Sequence, residues 1–383
     1  MKRRDLSFMA IFLPLYYLAF YMCRYSVLPV GPILTEKMKL STGAYGLSLS
    51  ALYTGYAFML MPAGIIARKW GAKKAILAGT AGTVAANFIL LIAASPLTLI
   101  VALFLNGASQ GLIWPSLMQI VALNVKGTAA NWIVGLMMTA AIIGPGFTFM
   151  IGGLLIFLDI WWAIFILSPL LLVALTVYFY KANIKSEISV HSIKFKWPKV
   201  NRDVLALAVT YFCFYSILRG IMGWLPSLLM SEISLAEAEA AIGSGFFPIV
   251  ETMGAFLGGF ISSKMKIIKP LFSAAFLSSF IVFAIYVILD MPAYFAALAF
   301  FAVSMPEWLF FSRLPQILDP EEVAFASGLI DTMGYIGGSV SSFLIGYLLE
   351  VTGNYSSVVK LLALYSLIGF ATSIFIKERK CCY

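Results

Sequence analysis

Residues 6–33 read LSFMAIFLPLYYLAFYMCRYSVLPVGPI, and residues 203–230 read DVLALAVTYFCFYSILRGIMGWLPSLLM. Each run is long enough to cross a bilayer core of about 30 Å, which takes about 20 residues of helix. Each carries one arginine inside it, Arg24 or Arg219. A guanidinium at the centre of a membrane helix costs about 2.5–3.5 kcal/mol on insertion, so its recurrence is a signal. A shift of 195 residues brings Arg24 onto Arg219, Tyr16 onto Tyr211, Phe20 onto Tyr215, Gly64 onto Gly259 and Lys69 onto Lys264 without a gap. A shift of 193 brings GLMMTAAIIGPG (135–146) onto GLIDTMGYIGGS (328–339), and Gly153 onto Gly346. The chain is built twice.

Outward from these runs, the 383 residues are 62% hydrophobic and 11% charged. A soluble domain averages about 45–50% apolar and 25% charged residues, so soluble enzymes, nucleic-acid binders and disordered chains are excluded. Twelve apolar runs follow one another: 6–33, 44–67, 75–95, 97–123, 129–157, 160–180, 203–230, 238–263, 270–289, 292–317, 323–350 and 355–376. The long connection, KANIKSEISVHSIKFKWPKVNR (181–202), is polar and basic. It divides an N-terminal six-helix half, 1–180, from a C-terminal half, 203–383. MKRRD has the basic start of a signal peptide, but the run behind it is too long and shows no small-residue cleavage site. It reads as a retained first helix.

With the N-terminus in the cytoplasm, 20 of the 26 Lys and Arg fall in cytoplasmic tails and loops. Lys37, Lys39 and Lys360 fall outside, and Arg24, Arg219 and Arg313 lie in the membrane. The positive-inside rule places both ends in the cytoplasm. It also accounts for the net charge of +9 without a nucleic-acid partner. Cys23 and Cys213 lie in apolar runs and Cys381 and Cys382 at the tip, so no disulfide framework is visible. The Cys pair at the tip is a lipidation target or an inert tail.

Two six-helix halves joined by a basic cytoplasmic loop resemble the major facilitator superfamily. The resemblance implies an all-α integral membrane protein of twelve transmembrane helices, a substrate site near the midplane, and alternating access. The stretch GIIARKWGAKK (64–74) fits the family's signature between helices 2 and 3 at Gly64, Gly71, Lys73 and Lys74. Arg68 stands where that signature has aspartate.

Charges inside membrane runs usually face a cavity or a partner. Counted over the run 6–33, Arg24 lies about nine residues from its outer end, roughly 14 Å deep at 1.5 Å per residue. Tyr17, Tyr21 and Arg24 share a helix face; Phe212, Tyr215 and Arg219 repeat it. The planar fork of arginine suits phosphate or carboxylate, so both arginines are expected to contact an anionic substrate. The competing expectation is neutralisation by an acid on another helix. Glu251, which falls on Tyr56 under the 195 shift, Glu307 and Asp331 are the candidates for that pairing or for carrying protons. In helix 4, Asn106, Gln110 and Trp114 form a polar stripe, and Trp114–Pro115 marks a bend.

YMCR (21–24), SQGLIWP (109–115), ILRGIMGWLP (217–226) and ASGLIDTMGYIGGSVSSFLIGYLLEVTG (326–353) resemble, more narrowly, the organophosphate–phosphate antiporters. That resemblance implies phosphoryl binding at Arg24 and Arg219, with cavity tyrosines at Tyr17, Tyr21, Tyr56 and Tyr335. Leu60 and Ala141 stand where that family has lysine and histidine, and Asp331 where it tends to have a small residue. The related anion–cation symporters use membrane arginines for carboxylates and couple to protons. His191, the one histidine, lies in the cytoplasmic loop, and no Walker or dinucleotide motif appears, so neither catalysis, a metal nor a cofactor is expected. The expectation is a monomeric secondary transporter of the cell membrane. Its partners are a small-molecule anion, a proton or counter-anion, and the lipid bilayer. The alternative is a proton-coupled transporter of a neutral or cationic compound, in which the arginines pair with acids.

Overall fold

The computed structural model describes residues 3–182, 184, 186, 202–265, 268–312, 314, 318 and 320–376. Among them twelve helices are long and apolar enough to cross a membrane. They are α1 (Phe8–Tyr25), α2 (Thr42–Trp70), α3 (Ala72–Leu91), α4 (Pro96–Asn124), α5 (Thr128–Phe157), α6 (Trp161–Lys181), α7 (Arg202–Met222), α8 (Glu237–Met265), α9 (Lys269–Leu289), α10 (Ala293–Ser312), α11 (Phe325–Thr352) and α12 (Tyr355–Ser373). Each overlaps one of the twelve apolar runs. Large side chains such as Phe58, Trp132, Phe157 and Ile288 are exposed, as a lipid-facing surface requires. Most of the basic linker, with His191, lies outside the described residues, as do Arg313, Cys381 and Cys382.

Prolines decide where several of these helices break. A proline has no N–H for the carbonyl four residues back, and its ring crowds that carbonyl. Helix α1 ends at Tyr25, four residues before Pro29, and a separate short helix spans Gly31–Lys37. Helix α7 ends at Met222, four before Pro226, and Leu225–Ile233 follows it. Helix α4 breaks after Gly111, four before Pro115, and α8 after Ser244, four before Pro248. The expected bend at Trp114–Pro115 therefore appears one turn earlier, at Leu112. Helix α10 opens into a turn at 305–308, around Pro306. Leu112 and Glu307 are 195 residues apart, so α4 and α10 are interrupted at corresponding places. Pro14, Pro62, Pro145 and Pro169 sit inside continuous helices.

The chain forms two compact units. One holds Met1–Met38, Ala51–Phe195 and Ala236–Gly245, the other Lys39–Ser50, Lys196–Leu235 and Phe246–Tyr383. The division differs from the sequence halves by two exchanged segments, the starts of α2 and α8. These also coincide under the 195 shift. In the second unit, Ser41 Oγ and the Gly43 N–H donate to Glu350 Oε2 at 2.9 and 2.7 Å. Ser50 and Ser339 hydroxyls meet at 2.7 Å, and Tyr45 packs edge-on against Trp224 at 5.0 Å. In the first unit, a Cβ on Gly153 would stand 2.8 Å from the Ala238 carbonyl oxygen. Small residues permit this approach. Gly71, between α2 and α3, has φ of 85°, which explains a glycine in the loop signature; Arg68 beside it is exposed.

Candidate functional site

In the first unit the site is built on the end of α1. Because α1 stops at Tyr25, its last carbonyls lose their helical partners. The Cys23 carbonyl instead accepts from Asn106 Nδ2 of α4 at 3.0 Å and from Asn87 Nδ2 of α3 at 3.2 Å. Gln110 Nε2 donates to Asn106 Oδ1 at 2.8 Å, and Arg24 Nε donates to Gln110 Oε1 at 2.9 Å. Amides thus bind three helices and fix the arginine. Ser26 Oγ adds a bond to Asn87 Oδ1 at 2.8 Å. The Arg24 guanidinium lies 4.4 Å from the Tyr21 ring centre and 4.3 Å from that of Tyr56, within cation–π range. Tyr17 meets Tyr21 edge-on at 5.0 Å and Trp114 at 5.3 Å. The sequence-derived set Tyr17, Tyr21, Arg24, Tyr56, Gln110 and Trp114 is one cluster inside one unit. Gly144 makes room for it, since a Cβ there would meet Tyr21 Cβ at 2.7 Å.

The helix break sets where each arginine stands in its own helix. Arg24 stands in the last turn of α1, and Arg219 in the last turn of α7. There each cation meets the negative end of a helix dipole. Interrupted helices whose ends point charge at a site are the usual way membrane transporters build one.

The second unit holds Arg219 differently. Its Nη2 donates to Glu251 Oε1 at 2.7 Å and its Nη1 to Glu251 Oε2 at 3.0 Å, a bidentate ion pair. Arg219 is 4% exposed and Glu251 0%. Of the two sequence expectations, neutralisation from another helix describes the geometry of Arg219. Tyr215 lies 5.5 Å from the guanidinium and packs edge-on against Tyr335 at 5.1 Å. Phe212, expected on the same face, is turned toward Tyr365 of α12 at 6.3 Å. Glu307 is buried in the break of α10 and lies within Coulombic range of Arg219 and Glu251. Asp331, half-buried on α11, acts electrostatically on Tyr211.

The repeat carries through to the contacts. Position 56 in α2 and position 251 in α8 correspond, and each touches the arginine of its own unit, one with an aromatic face and the other with a carboxylate. Asn87 and Ser26 escaped the sequence reading. An asparagine within the apolar run 75–95 was the available signal, since buried amides require partners.

The family model described as Major Facilitator Superfamily matches residues 15–342. A probable sulfoacetate transporter, SauU, of Cupriavidus necator is 23% identical, over 94% of this chain and 91% of its own. The hexuronate transporter of Bacillus subtilis is 21% identical, over 88% and 86%. In three dimensions the chain is similar to the crystal structure of a mutant of the nucleoside transporter NupG, with a TM-score of 0.78 and 15% identity, covering 96% of this chain and 100% of that one. This last likeness concerns the fold alone.

Proposed function

The chain belongs to the Major Facilitator Superfamily, and we propose that it is a secondary active transporter of a small organic anion, gripped by Arg24. The observation that carries this reading is what Arg24 is set against: an amide oxygen and two aromatic faces. Each of these three groups is uncharged. Gln110 engages Nε and so orients the fork of terminal nitrogens that pairs with a planar oxyanion. Tyr17, Tyr21, Tyr56 and Trp114 supply the walls. Arg219, with its charge met by Glu251, serves the second unit as an ion pair.

The substrate class we propose is a carboxylate or sulfonate rather than a phosphate ester. Relatives named for sulfoacetate and hexuronate support it. So do Leu60 and Ala141, both buried and apolar, at places where the organophosphate family has lysine and histidine. One observation favours the alternative, a neutral or cationic substrate: the Arg219–Glu251 pair is what that reading requires. Arg24 separates the two. Thermal shift of the purified protein with sulfoacetate, glucuronate, glycerol 3-phosphate and glucose is the test. Sulfoacetate or glucuronate should stabilise it, and Arg24→Lys should weaken that ligand by at least about tenfold, 1.4 kcal/mol, with near-native melting. Stabilisation by glucose alone, or anion binding indifferent to Arg24→Lys, would overturn the reading.

A further inference from the structure

We propose that the groove between α9 and α12 binds an anionic phospholipid, with the head-group phosphate on Lys360 and an acyl chain along the apolar lining. The site lies within the second unit and does not depend on what Arg24 binds.

The groove follows from how the two helices pack. They run antiparallel, and small residues hold one half of their contact together. The hydroxyls of Ser273 and Ser373 meet at 2.8 Å, and those of Ser279 and Ser366 at 3.2 Å. Between these pairs a Cβ on Gly369 would collide with the Phe276 ring. Such residues let helices approach closely in a membrane. Beyond Ser279 and Ser366 the ladder stops, and a groove of about 380 Å³ opens. That is within the about 300–1,000 Å³ of small-ligand pockets. Phe280, Phe283 and Val287 of α9 line it, with Leu364 and Leu367 of α12. Ala284 and Ala363, the smallest residues of the lining, leave the space. Both helices are membrane spans, so hydrocarbon is what reaches this face.

At the far end of the groove stand Ile288 and Lys360, the one charged side chain in the lining among the described residues. Lys360 is exposed and lies five residues, about 8 Å, inside the start of α12. This is the end that loop charge predicts to be outside. Among the described residues no carboxylate pairs with its amine. Asp290, two residues past Ile288 and itself exposed, forms no such pair. The helix gives no relief either, since the start of α12 is the positive end of its dipole. An amine so placed keeps its charge by reaching an anion or water at the head-group level. A lipid phosphate supplies that anion, and the acid-free lining below it takes the chain. A second copy seated here by two-fold symmetry would present the same acid-free lining and leave the amine unmet.

Brominated-lipid quenching in proteoliposomes of the full chain reads the groove locally, apart from the basic loops. Cys23, Cys213, Cys381 and Cys382 are replaced by alanine, and bimane is attached at Ile368→Cys, an exposed site one residue beyond Leu367. In phosphatidylcholine vesicles, brominated phosphatidylglycerol should occupy the site about fivefold more readily than brominated phosphatidylcholine, the preference that one lysine lends an anionic head group. A bimane at Phe58→Cys, exposed in the first unit, should show no preference. Lys360→Gln alters an exposed side chain and should remove the preference at Ile368 with an unchanged melt. Ala363→Phe should remove it by filling the groove. Equal quenching by the two lipids in the parent protein overturns the proposal, and so does a preference that survives Lys360→Gln or survives Ala363→Phe in a folded protein. A preference erased by inorganic phosphate overturns it in favour of the free ion. A bimane shielded from both lipids overturns it in favour of a second copy of the chain.

Discussion

Positions 56 and 251 occupy one place in the repeat and differ by a charge. Tyr56 offers Arg24 a π face worth about 0.5–2 kcal/mol, whereas Glu251 gives Arg219 a bidentate ion pair at 2.7 and 3.0 Å. The difference sets what each arginine does. The Arg219–Glu251 pair is buried, so truncating one partner strands the other: Arg219→Leu or Glu251→Leu should each destabilise by about 3–5 kcal/mol. The double variant should lose far less than the sum, because no buried charge remains. Denaturant unfolding in detergent checks this. Additive losses would mean that the two residues are not coupled. Both arginines and the 56–251 correspondence were legible in the sequence, because a charge inside an apolar run stands out and its repetition is arithmetic. Which acid meets Arg219 was not legible, since Glu251, Glu307 and Asp331 all lie in apolar runs and only distance selects among them. Nor did the sequence show that Asn106 would serve the Cys23 carbonyl, because that need arises from the break in α1.

At the level of helices, hydropathy located all twelve spans but not their interruptions. Apolarity does not change where α1 stops at Tyr25 or α4 at Gly111; the missing N–H of a proline four residues later does that. The runs 6–33 and 203–230 were therefore read as single helices. The exchanged segments, Lys39–Ser50 and Ala236–Gly245, were equally invisible, since each lies at the head of a longer apolar helix. Their packing makes a definite prediction. A Cβ on Gly46 would stand 2.8 Å from the Ser342 carbonyl oxygen and 3.0 Å from the Gly346 Cα, both of α11. Backbone cannot step aside as a side chain can, so Gly46→Leu should destabilise by about 1–3 kcal/mol, the usual cost of overpacking. Gly135→Leu is the control, because nothing lies within 4 Å of a Cβ there. A fluorescence melt should show a lowered transition for Gly46→Leu and an unchanged one for Gly135→Leu. Equal melts would mean that the contact of α2 with α11 carries no stability.

For the molecule as a whole, the distribution of charge predicts which way the chain is threaded. Twenty of the 26 Lys and Arg sit on the side of the N-terminus and only Lys37, Lys39 and Lys360 on the other. Each basic loop resists translocation, so the summed bias should hold both termini in the cytoplasm. At the opposite end, Lys37 lies over the Trp161 ring at 4.5 Å, a pairing of cation and indole suited to a headgroup region. Single-cysteine variants test the threading. Cys23 and Cys213 are buried and would be replaced by alanine together with the terminal pair. Lys126 and Lys360 are both exposed, and a cysteine at either disturbs no packed side chain. On intact cells a membrane-impermeant maleimide should label Lys360→Cys at once and Lys126→Cys only after the membrane is opened. The reverse pattern would place the basic loops outside. A loop asymmetry this strong would then have to be overridden by some other topogenic signal, and the cytoplasmic assignment of both termini would fall with it.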